Sequence, residues 1–320
     1  MLRADPYPGA AFLARLNLLF SEIADLTVCY RRGNVIVVTF GVFVAAGAIV
    51  GMLVTGACLL AHGLSHQVVA ALLTGVSASA VVGGHASWRV GQARSLRRQP
   101  LLGLRRNGFM SWGALVGAAA YIAWFGHNND IPMLALSDAV MRGLFGAYAI
   151  GRIGCLTYGC CYGRCAAVHG IQYRNPASKV NREQGLTLAP RYPTQVYSAI
   201  LGGALFVLLN AMPGFGAPTG LVTAAACLVY PLGRAWVELF RERKRYLGGL
   251  FTTGHIGCLL MFLAGCGLLA AIDPLDAALA PLPLSVDAIR SASSLAGVIL
   301  LSGTMIFVAT GIHWKQVGSW

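Results

Sequence analysis

The sequence predicts an all-α, polytopic integral membrane protein of seven to eight transmembrane helices, with a polar head inserted between the fourth and fifth. Three observations carry that prediction. The 320-residue chain is 57% hydrophobic and only 11% charged, less than half the roughly 25% of an ordinary soluble domain. Its mean hydropathy is +0.66. Its apolar residues fall in runs close to the roughly 20 residues that cross 30 Å of hydrocarbon, separated by short basic or Pro/Gly-rich stretches. A water-soluble globule, a disordered tail and a fibre are excluded.

The elements follow in order. The stretch Phe12 to Leu26 carries Arg15, Glu22 and Asp25 among apolar residues, which suits a helix lying in the membrane interface. The spans are expected at Val35–Leu60, Val68–Ala86, Phe109–Phe125 and Ile131–Leu156, then Thr194–Leu209, Leu221–Phe240, Leu250–Ile272 and Leu295–Ile312. No cleavable signal pattern opens the chain, so the first span is expected to stay. Three regions result: an amphipathic arm over 1–34, a membrane domain over 35–272 with its polar head at 155–193, and a linker with an extra helix over 273–320. The pairs Gly47–Gly51 and Gly113–Gly117 have the spacing that lets helices pack closely.

The net charge of +13 is unevenly spread. Arg89, Arg94, Arg97, Arg98, Arg105 and Arg106 lie between spans two and three. Arg164, Arg174, Lys179, Arg182 and Arg191 follow span four, and Arg241, Arg243, Lys244 and Arg245 follow span six. With eight alternating spans these share one membrane face, opposite Asp130, Asp273, Asp276, Asp287 and the lone Arg290. By the positive-inside rule that face is cytoplasmic. Such an excess also suits anionic lipid, and it does not call for nucleic acid.

Ionisable groups at span ends are costly and mark functional sites by default. Gly151–Arg152–Ile153–Gly154–Cys155 closes the fourth span, followed by Tyr158–Gly159–Cys160–Cys161–Tyr162–Gly163–Arg164–Cys165. Pro190–Arg191–Tyr192–Pro193–Thr194–Gln195–Val196–Tyr197 opens the fifth, and Gly233–Arg234–Ala235–Trp236–Val237–Glu238 ends the sixth. The forked guanidiniums of Arg152 and Arg234 suit a lipid phosphate. Glu238 falls on the same helix face as Arg234. The plainer reading is that both arginines snorkel to the interface; the polar, Gly-rich sequence after each favours function.

These blocks, with Gly254–His255–Ile256 after them, resemble the prolipoprotein diacylglyceryl transferases, bacterial inner-membrane enzymes. The resemblance runs from about Phe40 to the end of span seven. It implies transfer of the diacylglyceryl group of phosphatidylglycerol to the lipobox cysteine thiol of a prolipoprotein, with release of glycerol phosphate. It implies that Arg152 and Arg234 hold the phosphate, with Gly154 and Gly163 in the same signature and Glu238 beside Arg234. Its partners would be phosphatidylglycerol, the prolipoprotein signal peptide and membrane lipids, with no cofactor and no resident metal. It also places the signature on the outer face of the bacterial plasma membrane, against the charge count, and the site's need for basic residues favours that placement.

The chain departs from the family pattern at several positions. Cys155 stands where an asparagine follows GRIG, and Tyr158, Gly159 and Cys160 stand where the family has NGE. Trp112, Gly113 and Ala114 replace its HGG motif, and with it the histidine base. Phe40 replaces a tyrosine, Tyr192 a histidine and Ser198 a glutamate. Attack by a thiol needs the thiolate, so another base is required; His85 at the end of span two is the expected substitute, with His255 and Glu238 behind it. Cys155, Cys160, Cys161 and Cys165 have C-x4-C-C-x3-C spacing, which is neither a zinc nor an iron–sulfur pattern. These thiols could be structural, reactive or metal-binding. The rewritten signature leaves two other readings: a related enzyme with a different acceptor, or a non-catalytic phospholipid-binding or cysteine-based redox or metal protein.

Overall fold

The computed structural model describes residues 8–96, 108–167, 170–186, 188–212, 218–242, 251–272, 285–315 and 317. Arg97, Arg98, Arg105, Arg106, Arg243, Lys244, Arg245, Leu250, Asp273 and Asp276 lie outside the described residues, as does the first part of the 273–320 linker. The chain is an α-helical polytopic membrane protein. Its helices are α1 (Pro8–Ala24), α2 (Thr39–Ala61), α3 (His66–Leu96), α4 (Ser111–Asn128), α5 (Met133–Tyr158), α6 (Lys179–Gln184), α7 (Thr194–Ala211), α8 (Leu221–Glu238), α9 (Thr253–Ala271), α10 (Val286–Ala292) and α11 (Ala296–Gly311). Among the described residues six helical stretches are long and apolar enough to cross a membrane: α2, α3, α5, α7, α9 and the continuous run through α10 and α11. Exposed Leu259, Leu260, Leu263, Leu300 and Leu301 give these helices an apolar outer surface suited to lipid.

In lipid, helices associate by close van der Waals packing of small residues, and both predicted small-residue pairs sit at such contacts. A methyl group on Gly47 would lie 2.6 Å from the Ala147 carbonyl oxygen, and one on Gly51 3.0 Å from the Ala147 side chain, so α2 and α5 touch through their backbones. Gly113 and Gly117 meet Gly83 and Ser79 in the same way, joining α4 to α3. Met52, Leu72, Leu136 and Leu295 belong to the main core beside these contacts.

The first span starts later than expected, at Thr39, because Val35–Val38 is a strand, whereas the last starts earlier, at Val286, and ends at Gly311 where the strand Ile312–Trp314 begins. A three-stranded antiparallel sheet, β1 (Val28–Arg32), β2 (Val35–Val38) and β3 (Ile312–Trp314), runs in the order β1-β2-β3. A short β-branched run reads equally well as strand or as buried helix, and here one pairing partner lies far along the chain. The expected interfacial helix is α1. Its Ala24, Phe20 and Ile23 pack on Leu156, Ile171, Tyr173 and Val180, and Asp25 accepts the Arg174 and Asn175 amides at 2.7 and 3.1 Å. The arm is therefore docked on the polar head.

Within the bundle, α5 carries a buried ionisable pair that the sequence reading passed over. Asp138 accepts the Gly220 and Thr223 amides, each at 2.8 Å, and the Thr223 hydroxyl at 2.6 Å. One turn on, Arg142 donates to the Leu209 carbonyl at 2.7 Å. Together they cap the end of α7 and the start of α8, although Arg142 Nη2 is buried with no hydrogen-bond partner among the described residues.

Candidate active site

The charged residues of the site lie in or just beyond the last turns of α5 and α8. Arg152 sits one and a half turns from the end of α5, with its guanidinium 4.5 Å over the Tyr148 ring. Its recorded N–H contact is a long one, 4.0 Å to Cys155 Sγ. Tyr148 and Tyr230 meet edge to face, with centroids 5.6 Å apart and hydroxyls 3.3 Å apart. Tyr230 precedes Arg234 on α8 by four residues, as Tyr148 precedes Arg152 on α5, and it feels both guanidiniums. The tyrosine pair thus brings the two arginines of separate sequence blocks to one place. The repeated Tyr-x3-Arg spacing was the signal available in the sequence.

Glu238 is fully buried, and its partners include Arg234, Arg241 and Thr252. Arg234 pairs with it one helical turn away, Arg241 approaches at 3.4 Å, and the Thr252 hydroxyl donates to it at 3.1 Å. Gly254 is required here because a methyl group would fall 2.5 Å from the Glu238 carboxyl carbon. Among the described residues, Arg234 Nη1 and Arg241 Nε are buried without a hydrogen-bond partner. Arg234 and Arg241 pair with the Glu238 carboxylate, and Arg152 and Arg241 face the Cys161 sulfur, so three guanidiniums meet one carboxylate and one acidified thiol. Buried charge left unpaired is costly, so the pocket is built for an anion.

The PRYPTQVY block positions the neighbouring loop. Thr194 donates to the Cys161 carbonyl at 2.8 Å and Gln195 to the Cys160 carbonyl at 2.7 Å. Arg191 donates to the Gly163 carbonyl at 3.1 Å, pairs with Gln184, lies over the Tyr162 ring and approaches Glu242 at 3.8 Å. Gly163 bridges to Arg241 and lies against the Tyr192 backbone, while Gly154 lies against Phe40 and Phe43 of α2. Both glycines permit close backbone approach. The Cys155, Cys160 and Cys161 sulfurs all lie within 4.8 Å of one another, whereas Cys165 is exposed and outside that group. The Cys161 thiol is held well below its ordinary range, because Cys155 and Cys160 donate hydrogen bonds to it and, against burial, Arg241 and Arg152 face it.

The histidines separate. His85 Nδ1 lies 2.9 Å from the Gly108 carbonyl and its ring meets Phe109 edge-on at 5.7 Å. A carbonyl only accepts, so Nδ1 carries the proton and Nε2 the lone pair. His255 Nδ1 accepts the Thr252 amide at 3.2 Å in a capping box, which puts the proton on Nε2. Among the described contacts His85 touches none of Arg152, Arg234 or Glu238. It does lie on the part of α3 that packs on the start of α4, where Gly83 and Ser87 adjoin Gly113. Trp112, beside Gly113, lies 3.7 Å from where a side chain at Gly257 of α9 would begin.

The family model for prolipoprotein diacylglyceryl transferase matches residues 27–271. The chain belongs to the prolipoprotein diacylglyceryl transferase family. A phosphatidylglycerol–prolipoprotein diacylglyceryl transferase 2 of Clostridium perfringens (strain 13 / Type A) is 32% identical over 189 residues, 58% of this chain and 72% of that protein. The corresponding transferase of Clostridium tetani is 28% identical over 161 residues, 50% and 62% of the two chains. That of Pectobacterium atrosepticum is 30% identical over 177 residues, 50% and 61%. The chain thus spans less than two thirds of the last two relatives. The family match covers the whole arginine–tyrosine–glutamate assembly and all the departures around Cys155–Cys161.

Proposed function

We propose that this protein transfers the diacylglyceryl group of phosphatidylglycerol to the lipobox cysteine thiol of a prolipoprotein, in the bacterial plasma membrane. The observation that carries the reading is the buried excess of guanidinium over carboxylate around Glu238, with Arg234 Nη1 unpartnered among the described residues. The thiolate sulfur bonds to the glyceryl carbon, the carbon–oxygen bond to phosphate breaks, and glycerol phosphate leaves with the electron pair. Charge grows on the phosphate as that bond breaks. Preorganised donors aimed at developing charge are the largest catalytic contribution in many enzymes, and Arg152 and Arg234 are such donors. Glu238 keeps Arg234 from rotating away, and Tyr148 supports Arg152 from below.

The thiol proton goes to His85. Its Nε2 lone pair supports that role, whereas the His255 Nδ1 lone pair is taken by the Thr252 amide. The contact of Gly83 with Gly113 supports a shift of the imidazole across the α3–α4 interface, from the position now held by Trp112. The signature loop faces outward. Part of the basic excess that argues for the reverse is engaged within the protein: Arg182 holds Val317 and Tyr158, Arg191 the head, and Arg241 the site.

Complementation tests the reading. The chain rescues a strain depleted of its own transferase, and Arg234→Ala does not; failure of the unmodified chain overturns the activity. Labelling of exposed Cys165 by a membrane-impermeant maleimide in intact cells is expected. Labelling only after permeabilisation reverses the orientation. A chain that cleaves phosphatidylglycerol but does not complement would move the reading to a different acceptor, for which the three thiols in place of the family's amide and carboxylate positions argue.

A further inference from the structure

We propose that Cys155, Cys160 and Cys161 form a three-coordinate site for a thiophilic metal ion, best suited to monovalent copper. Their sulfurs lie within 4.8 Å of one another. A metal about 2.3 Å from each sulfur in a trigonal plane sets the sulfurs roughly 4 Å apart. Small side-chain rotations therefore close the ring.

Linear spacing matches no standard metal pattern, because the ring is made by a chain reversal. Gly159 caps α5 at φ 71°, and Cys161 follows in the left-handed region at φ 56°, a conformation unfavourable to a non-glycine residue. The hydrogen bonds from Thr194 and Gln195 to the Cys161 and Cys160 carbonyls hold the reversal from outside. Two ligands thus have backbones locked by a second helix, and the third stands on α5 itself.

The donor set selects the ion. Magnesium and calcium require oxygen ligands, and thiolates favour soft ions. Structural zinc takes four ligands, and Cys165, the remaining cysteine of the stretch, is exposed and stands outside the ring. Three thiolates around a monovalent cation carry a net charge of two negatives, and Arg152 and Arg241 both face Cys161. Binding replaces each remaining S–H bond with a metal–sulfur bond and releases that proton to solvent. No oxidation state changes.

The full-length chain, reduced and purified in detergent without air, is titrated with Cu(I) held by a coloured competing chelator. Withdrawal of one equivalent is expected, with an ultraviolet thiolate-to-copper transition. Cys155→Ser and Cys160→Ser are each expected to weaken binding by about tenfold or more, while Cys266→Ser, exposed on α9, leaves it unchanged. Should Cys160→Ser fail to fold, Cu(I) protection of the unmodified chain decides the matter. Mass spectrometry after maleimide treatment is then expected to find Cys155, Cys160 and Cys161 protected together. No stoichiometric uptake, uptake undiminished in Cys155→Ser, or protection of other cysteines overturns the site. Uptake of Zn(II) without Cu(I) overturns the assignment of the ion. The measurement uses neither lipid nor acceptor, so its outcome is independent of the transferase reading.

Discussion

The sharpest test of the site is Gly254→Ala, which touches neither lipid nor arginine directly. The added methyl carbon would stand 2.5 Å from the Glu238 carboxyl carbon and 2.7 and 2.9 Å from its oxygens. Ordinary contact needs about 3.5 Å, so the carboxylate must recede by about 1 Å. It has little freedom to do so, being fully buried and held by Arg234, Arg241 and Thr252. Lengthening the 3.4 Å approach to Arg241 by about 1 Å at an effective dielectric constant near 20 removes about 1 kcal/mol of attraction. The Arg234 pair loses a comparable amount, and overpacking adds roughly 1–3 kcal/mol. Gly254→Ala should therefore lower stability by roughly 3–5 kcal/mol. Displacement of Arg234 by a similar distance should cost about a hundredfold in kcat/KM. Thermal melting in detergent and transfer of labelled diacylglyceryl to a lipobox peptide measure the two effects. Gly203→Ala on α7, with open space around it, is the control, and should be neutral or slightly stabilising. A Gly254→Ala protein with unchanged melting and kcat/KM within about threefold of the parent would refute the clamped-carboxylate argument.

Three further outcomes are expected. His85→Asn should reduce kcat by about a hundredfold or more with little change in KM, as for loss of a general base; single-turnover transfer rates check this, and an unaffected rate returns the base assignment to another group. Asp138→Ala strands the Gly220 and Thr223 donors inside the bundle and should cost about 3 kcal/mol, seen as a lower melting temperature that Asp138→Asn partly restores. His313 on β3 is buried, and that burial moves its pKa down to about 4 from 6.5. The unfolded chain therefore binds this proton more readily. Stability is fully present above pH 6.5 and is lost as pH falls toward 4, by up to about 3 kcal/mol. The difference in melting between the parent and His313→Gln should shrink as pH drops through that window, and a difference independent of pH would exclude His313 as its source.

Much of the membrane bundle was legible because its signals are local. Apolar runs predict the membrane class and the approximate places of the helices, six of which are long and apolar enough to cross among the described residues, and Gly47–Gly51 and Gly113–Gly117 predict close helix contacts that the fold contains. The Arg234–Glu238 pair was also local, being one helical turn. Less local features were missed. Val35–Val38 read as the start of a span because its apolar run continues unbroken into α2, although it pairs both with the adjacent β1 and with the distant β3. Asp138 and Arg142 drew no attention because their partners lie in the last turn of α7 and at the start of α8.

The division follows from what each kind of interaction needs. Burial in lipid acts on every residue of a span alike, so composition and periodicity suffice for the class, the approximate spans and the family blocks. The assembly of the pocket depends on pairs of side chains from different helices. Tyr148 meeting Tyr230, Arg241 and Thr252 closing on Glu238, and three sulfurs gathered by one reversed turn are decided by distances of a few ångströms. Charge is the clearest case. Along the chain, +13 is a statement about loops; in three dimensions part of it is a buried excess around one carboxylate, and only there does it become a site for an anion.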